Sequence, residues 1–225
     1  MILNATFMAV VVLLAIVGWQ RYQKTQRQTF LENYRFNAIL AKKVQQHYPH
    51  LQEDELQQVL EGLRDYFIIC NQAGRKMVAM PSQVVDVAWH EFILFTRAYQ
   101  SFCHKALGRF LHHTPSEAMP TQVSAQAGIR RAWRLACARS GINPALPSKL
   151  PLLFDIDRRL NIKDGFYYSR NCRDNSLPKN QRDGYCASHI GCASGCAGDS
   201  GAATYSGGYD GAGDSGGCSG GCGGD

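Results

Sequence analysis

The chain has 225 residues, a formal net charge of +6 and nine cysteines. That length allows one domain or two small ones, and it is long enough to bury a real core. The charge is uneven. No Lys or Arg follows Tyr185, while Asp199, Asp210, Asp214 and Asp225 are acidic, so the basic charge belongs to the body of the chain. A basic body points to nucleic acid or to an anionic membrane. Lys and Arg are not interleaved with aromatics as a nucleic-acid face requires, so no nucleic-acid partner is expected.

Residues Ile2 to Trp19 carry no charged side chain, and only Asn4 and Thr6 are clearly polar. At about 1.5 Å rise per residue, roughly 18–20 residues cross a hydrocarbon core. The expectation is a transmembrane anchor over 1–20 with Trp19 and Tyr22 at the interface. A cleavable signal peptide fits less well, because no basic residue precedes the apolar run and Gly18-Trp19-Gln20-Arg21 is a poor cleavage context. A buried core helix is the other alternative. Arg21, Lys24 and Arg27 follow in a basic juxtamembrane segment over 21–29, where they are expected to face anionic lipid. The excess of basic residues on that side predicts a single-pass inner-membrane protein, N-terminus outside and the remainder cytoplasmic. In a reducing compartment the cysteines are expected as thiols or metal ligands.

From residue 30 to about 160 apolar residues recur at helical spacing. Phe30, Tyr34, Ala38, Ala41 and Val44 form one stripe, which Tyr48-Pro49 ends. A second helix runs from about Leu51 to Asn71. Glu53, Asp54 and Glu55 suit its N-terminal end, and Gly74 suits its stop. A long central helix is expected from Pro81-Ser82 to Leu107. The capping box Thr114-Pro115-Ser116-Glu117 announces another helix. Leu150 to Leu160 is apolar enough for one more turn or two. No segment alternates at period two. The reading is an all-α domain over 30–160, a polar linker over 161–185 and a disordered Gly/Ser/Cys-rich tail over 186–225.

The central segment is apolar around most of its circumference. One stripe differs, where Asp86, His90, Arg97, Gln100 and His104 line up. It can simply face water. Alternatively, Asp86 and His90 stand at i and i+4 and can share one metal ion or one proton, with His112 or His113 folding back after Gly108. Cys103 lies away from that direction and reads better as a buried core thiol. Glu91 sits on the apolar side and needs a partner, with an Arg of the fourth helix as candidate. Two histidines and a carboxylate suit zinc or another transition metal.

Val85-Asp86-Val87-Ala88-Trp89-His90-Glu91-Phe92, Tyr99-x-x-Phe102-Cys103, Gly108 and His112-His113 resemble the bacterial glycine-rich domain-containing protein-like family. More distantly, they are similar to the N-terminal domain of plant glycine-rich domain proteins. The match centres on residues 77–115. The resemblance implies a helical domain, often with a glycine-rich extension, and no particular reaction. It carries over Asp86, His90, Cys103, His112 and His113 as candidate ligands. Phe92 stands where the plant-like pattern has a second histidine.

In the tail, Cys186, His189, Cys192 and Cys196 have the spacing C-x2-H-x2-C-x3-C, which suits a zinc loop or an iron–sulfur run with one histidine. Glycine-rich flanks supply no scaffold to orient such ligands. The chain shows no nucleophile motif, phosphate loop or dinucleotide fingerprint, which points away from an enzyme. The functional expectation is a membrane-tethered interaction or scaffold module that docks a protein partner. The alternative is a metal-binding or redox protein built on Asp86, His90 and His112 or His113.

Overall fold

The computed structural model describes residues 2–113, 122–170, 185–186 and 190. It is helical almost throughout: α1 Ile2–Asn33, α2 Ala38–His47, α3 Glu53–Ala73, α4 Gln83–Leu94, α5 Thr96–Leu107, α6 Gln122–Arg139 and α7 Leu152–Arg159. The all-α expectation holds, with one small addition that involves the segment read as a linker and Cys186, the first residue of the segment read as a tail. Tyr168–Ser169 (β1) and Tyr185–Cys186 (β2) pair in parallel.

The hub of the bundle is α3, which packs against each of the other helices. Its start follows from local signals. Glu53, Asp54 and Glu55 occupy the first turn, where the helix dipole favours negative charge, and the Glu55 carboxylate accepts from the Gln52 amide at 2.8 Å. Its inner faces are continuous from Leu56, Val59 and Leu63 to Phe67, Ile68 and Cys70, all buried. Gly62 lets two neighbours come close: a Cβ there would lie 3.0 Å from Val85 Cγ2 of α4 and 3.5 Å from Ile156 Cδ1 of α7.

The expected central helix is two helices. Phe95 leaves the α region (φ −79°, ψ 57°) and ends α4, and α5 folds back. The cause is tertiary. On a straight helix Phe92 and Phe102 would be separated by about 15 Å of rise. Their ring centroids are 5.2 Å apart, and both rings belong to a cluster with Tyr34, Phe36 and Phe67. Burying that set together stabilises the fold more than the hydrogen bonds lost at the break, since each aromatic buries roughly 150–250 Å². The stripe drawn along one helix therefore does not exist as a line. Arg97, Gln100 and His104 belong to α5.

The N-terminal segment also departs from expectation. Its apolar front runs unbroken into a polar back half that docks on the domain as part of α1. Leu31 is fully buried, Phe30 packs on Phe102, and Arg139 of α6 reaches Glu32. Among the described residues no helix is long and apolar enough to cross a membrane. The expectation of a single-pass inner-membrane protein with an outside N-terminus and a cytoplasmic domain is thereby corrected. The Arg27 guanidinium occupies the space beside Gly108 at the C-terminal end of α5, and Arg21 and Lys24 are exposed. A cation suits that end of a helix because the free carbonyls gather there.

The stretch after α1 turns at Tyr34 to Asn37. Asn37 caps α2 by accepting from the Ile39 amide at 2.9 Å. Thr114 to Glu117, read as a helix start, lie outside the described residues, and α6 begins its described course at Gln122. The apolar stretch 150–160 contains α7.

Candidate metal centre

α4 begins at a fixed point. Ser82 caps it by accepting from the Val85 amide at 3.3 Å. From α7, the buried Asp157 carboxylate accepts from Ser82 Oγ (2.7 Å), the Gln83 amide (2.7 Å), the Val84 amide (3.2 Å) and the Phe166 amide (2.8 Å). Burial pushes the Asp157 carboxyl up, and these four bonds pull against that shift. Nothing in the local pattern marks this residue as the partner of α4. Its signal was an acid inside the apolar run Leu152-Leu153-Phe154-Asp155-Ile156-Asp157, which demands a polar partner once α7 is buried.

One turn further, α4 presents Asp86, Trp89 and His90. Trp89 is buried and donates from Nε1 to the Tyr99 hydroxyl at 3.0 Å. Tyr99 in turn donates to the Leu111 carbonyl at 2.5 Å. This ties the segment after α5 to the α4–α5 hairpin and brings His113 back over α4. The His113 ring meets the Trp89 ring at 4.6 Å between centroids and the His90 ring at 4.1 Å.

Asp86, His90 and His113 each offer one ligand atom, and these atoms all lie within 4.8 Å of one another. The nearest approaches are 3.0 Å between His113 Nε2 and Asp86 Oδ1, 3.3 Å between His90 Nε2 and His113 Nδ1, and 3.5 Å between His90 Nδ1 and Asp86 Oδ2. Ligands bound to one tetrahedral ion at about 2.0–2.1 Å sit roughly 3.3 Å apart. The approaches above use both nitrogens of each ring, so they are not distances within one ligand set. With one atom from each residue the donors lie within 4.8 Å of one another, and a shared ion requires the side chains to rotate inward from there. Without an ion, His113 is hydrogen-bonded on both ring nitrogens, through Nε2 to Asp86 and through Nδ1 to His90.

The other sequence candidates go elsewhere. His112 is exposed and stacks on Phe110 at 4.7 Å, so of the adjacent pair it is His113 that meets Asp86 and His90. Cys103 is fully buried beside the Tyr99 hydroxyl and the Leu111 backbone, and burial pushes its thiol up. Glu91 finds His47 of α2 at 2.9 Å, not an arginine of α6. Cys186 has its backbone in β2, while its side chain and His189, Cys192 and Cys196 lie outside the described residues. Around Asp86 the phenols stay protonated donors. Burial raises Tyr66 and Tyr48, and for Tyr48 the carboxylates of Asp164, Asp157 and Asp86 push in the same direction.

A family model described as UCP032817-like matches residues 26–190. The chain belongs to that family. The matched region contains all three donors, the Trp89–Tyr99 pair and Asp157, and it omits the apolar front of α1 and Cys192 and Cys196 of the tail. No curated protein and no solved structure matches the chain.

Proposed function

We propose that this is a metal-binding protein whose centre is Asp86, His90 and His113, with zinc or a similar divalent transition metal as the ion. The observation that carries the reading is the convergence of the three donors from two separate segments, with Trp89 packed behind them. Two imidazoles and a carboxylate suit zinc. Metal content of the purified full chain tests it, with Cys186, Cys192, Cys196, Cys218 and Cys222 changed to Ser to silence the tail. The expected result is about one equivalent of metal, lost in His113→Ala and in Asp86→Ala. Metal content unchanged by both substitutions would remove the reading.

A second reading, an interaction module, draws on a different observation. Leu13, Leu14 and Trp19 on the front of α1 are 60%, 64% and 63% exposed, an apolar surface suited to another protein. Light scattering would check self-association through it. A mass above that of the monomer, reduced to monomer by Leu13→Glu with Leu14→Glu, supports it, and a monomer throughout counts against it.

A further inference from the structure

The three donors do not surround their common centre evenly. Asp86 and His90 stand one turn apart on one face of α4, and His113 closes on them from the segment after α5. Behind His113 lies the buried ring of Trp89. Exposure rises across the group, from 12% for the His113 side chain and 21% for Asp86 to 49% for His90. Among the described residues, an ion held by all three is thus walled on the Trp89 side and open on the His90 side.

Among the described residues, the neighbouring donors are engaged otherwise. Cys103 is buried with Tyr99, His112 stacks on Phe110, and Glu91 pairs with His47. Among the described residues, Asp86, His90 and His113 are the grouped donors. Structural zinc centres fill four positions with protein atoms, whereas three protein ligands leave one position for water or an incoming molecule. The charge of the set says what would enter. A divalent ion bound by one carboxylate and two neutral imidazoles keeps net positive charge, which favours an anionic fourth ligand over a neutral one.

Resting on the metal reading above, we infer that this centre holds its ion through three protein ligands and keeps an exchangeable position on the His90 side for a small anionic donor, such as a carboxylate. Binding there is ligand exchange: the anion displaces a water from the ion, and no bond within either molecule is broken.

The test uses the full chain with the five tail cysteines changed to Ser, loaded with cobalt(II), whose visible bands report coordination. Azide is titrated, then acetate in competition. The expected result is a saturable change in the cobalt bands with azide, reversed by acetate, and loss of the bands in His113→Ala. Cobalt bands that depend on His113 but ignore both anions would show a closed centre and overturn this inference alone. Failure to load cobalt, or bands that persist in His113→Ala, would overturn the metal reading as well.

Discussion

Trp89 Nε1 donates to the Tyr99 hydroxyl at 3.0 Å, across a helix break that places residues ten apart in sequence side by side. The hydroxyl passes the bond on to the Leu111 carbonyl, two residues before His113. The Trp89 indole N–H, the turn at Phe95 and the approach of His113 to Asp86 are therefore one structure. Tyr99→Phe keeps the ring contacts with Phe92 and Phe110 but removes the hydroxyl that partners the buried Trp89 N–H and the part-buried Leu111 carbonyl. Leaving a buried donor or acceptor unpaired costs about 1–3 kcal/mol. Urea denaturation of Tyr99→Phe should show a loss in that range, and the metal affinity of the variant should fall because His113 is no longer held. A metal affinity equal to that of the parent would mean that the ring packing alone positions His113.

What could be read from the sequence divides along the same line. Signals carried within a few residues were legible: the acidic first turn of α3, the stop at Gly74 and the i,i+4 pairing of Asp86 with His90. Features set by contacts from far along the chain were not. Phe95 is neither Gly nor Pro, and its break is imposed by the aromatic cluster. Asp157 caps α4 from more than seventy residues away. The choice of His113 over His112 depends on Tyr99 holding Leu111. The apolar front of α1 suggested a separate anchor because hydropathy does not register that its back half docks on α3 and α5.

Asp157 supports a direct prediction. Asp157→Ala would strip the acceptor from Ser82 Oγ and from the amides of Gln83, Val84 and Phe166 at once. Loss of a cap alone costs about 0.5–2 kcal/mol, and each additional orphaned buried donor adds to it. A destabilisation of about 3 kcal/mol or more is expected by denaturant titration. Asp157→Asn, which keeps one side-chain oxygen as acceptor, should lose less. Equal losses would show that the carboxylate charge at the start of α4 matters more than the count of acceptors.

The buried thiols set an alkaline limit. Burial pushes Cys70 from 9.0 up to about 12 and Cys137 up to about 11. Both thiols ionise more readily in the unfolded chain than in the folded one. Their stabilising contribution is thus fully present below the unfolded value, and it is lost as pH rises from near 9.0 toward the raised folded values. The urea midpoint should fall over that window and hold steady just below it. Cys70→Ala with Cys137→Ala should flatten the decline, whatever their effect on stability at neutral pH. The same burial predicts that iodoacetamide at about pH 8 spares Cys70, Cys103 and Cys137 in the native protein and labels them in urea, as peptide mapping would show.

Gly108 ends α5 in the left-handed region (φ +66°), and a Cβ there would meet the Arg27 guanidinium of α1. Two effects of Gly108→Ala then add. A side chain in the left-handed region costs roughly 1–2 kcal/mol. Displacing Arg27 also removes a cation from the C-terminal end of α5, worth about 0.3–1 kcal/mol. Arg27→Ala isolates the second effect, because it empties the space without altering the backbone. The double variant should be destabilised by about as much as Gly108→Ala alone, since that substitution already moves Arg27 off the helix end. Full additivity in a double-mutant cycle would mean instead that Arg27 keeps its hold on α5 by another route. Loss of that hold should be visible as faster amide exchange in the last turn of α5 and in the back half of α1.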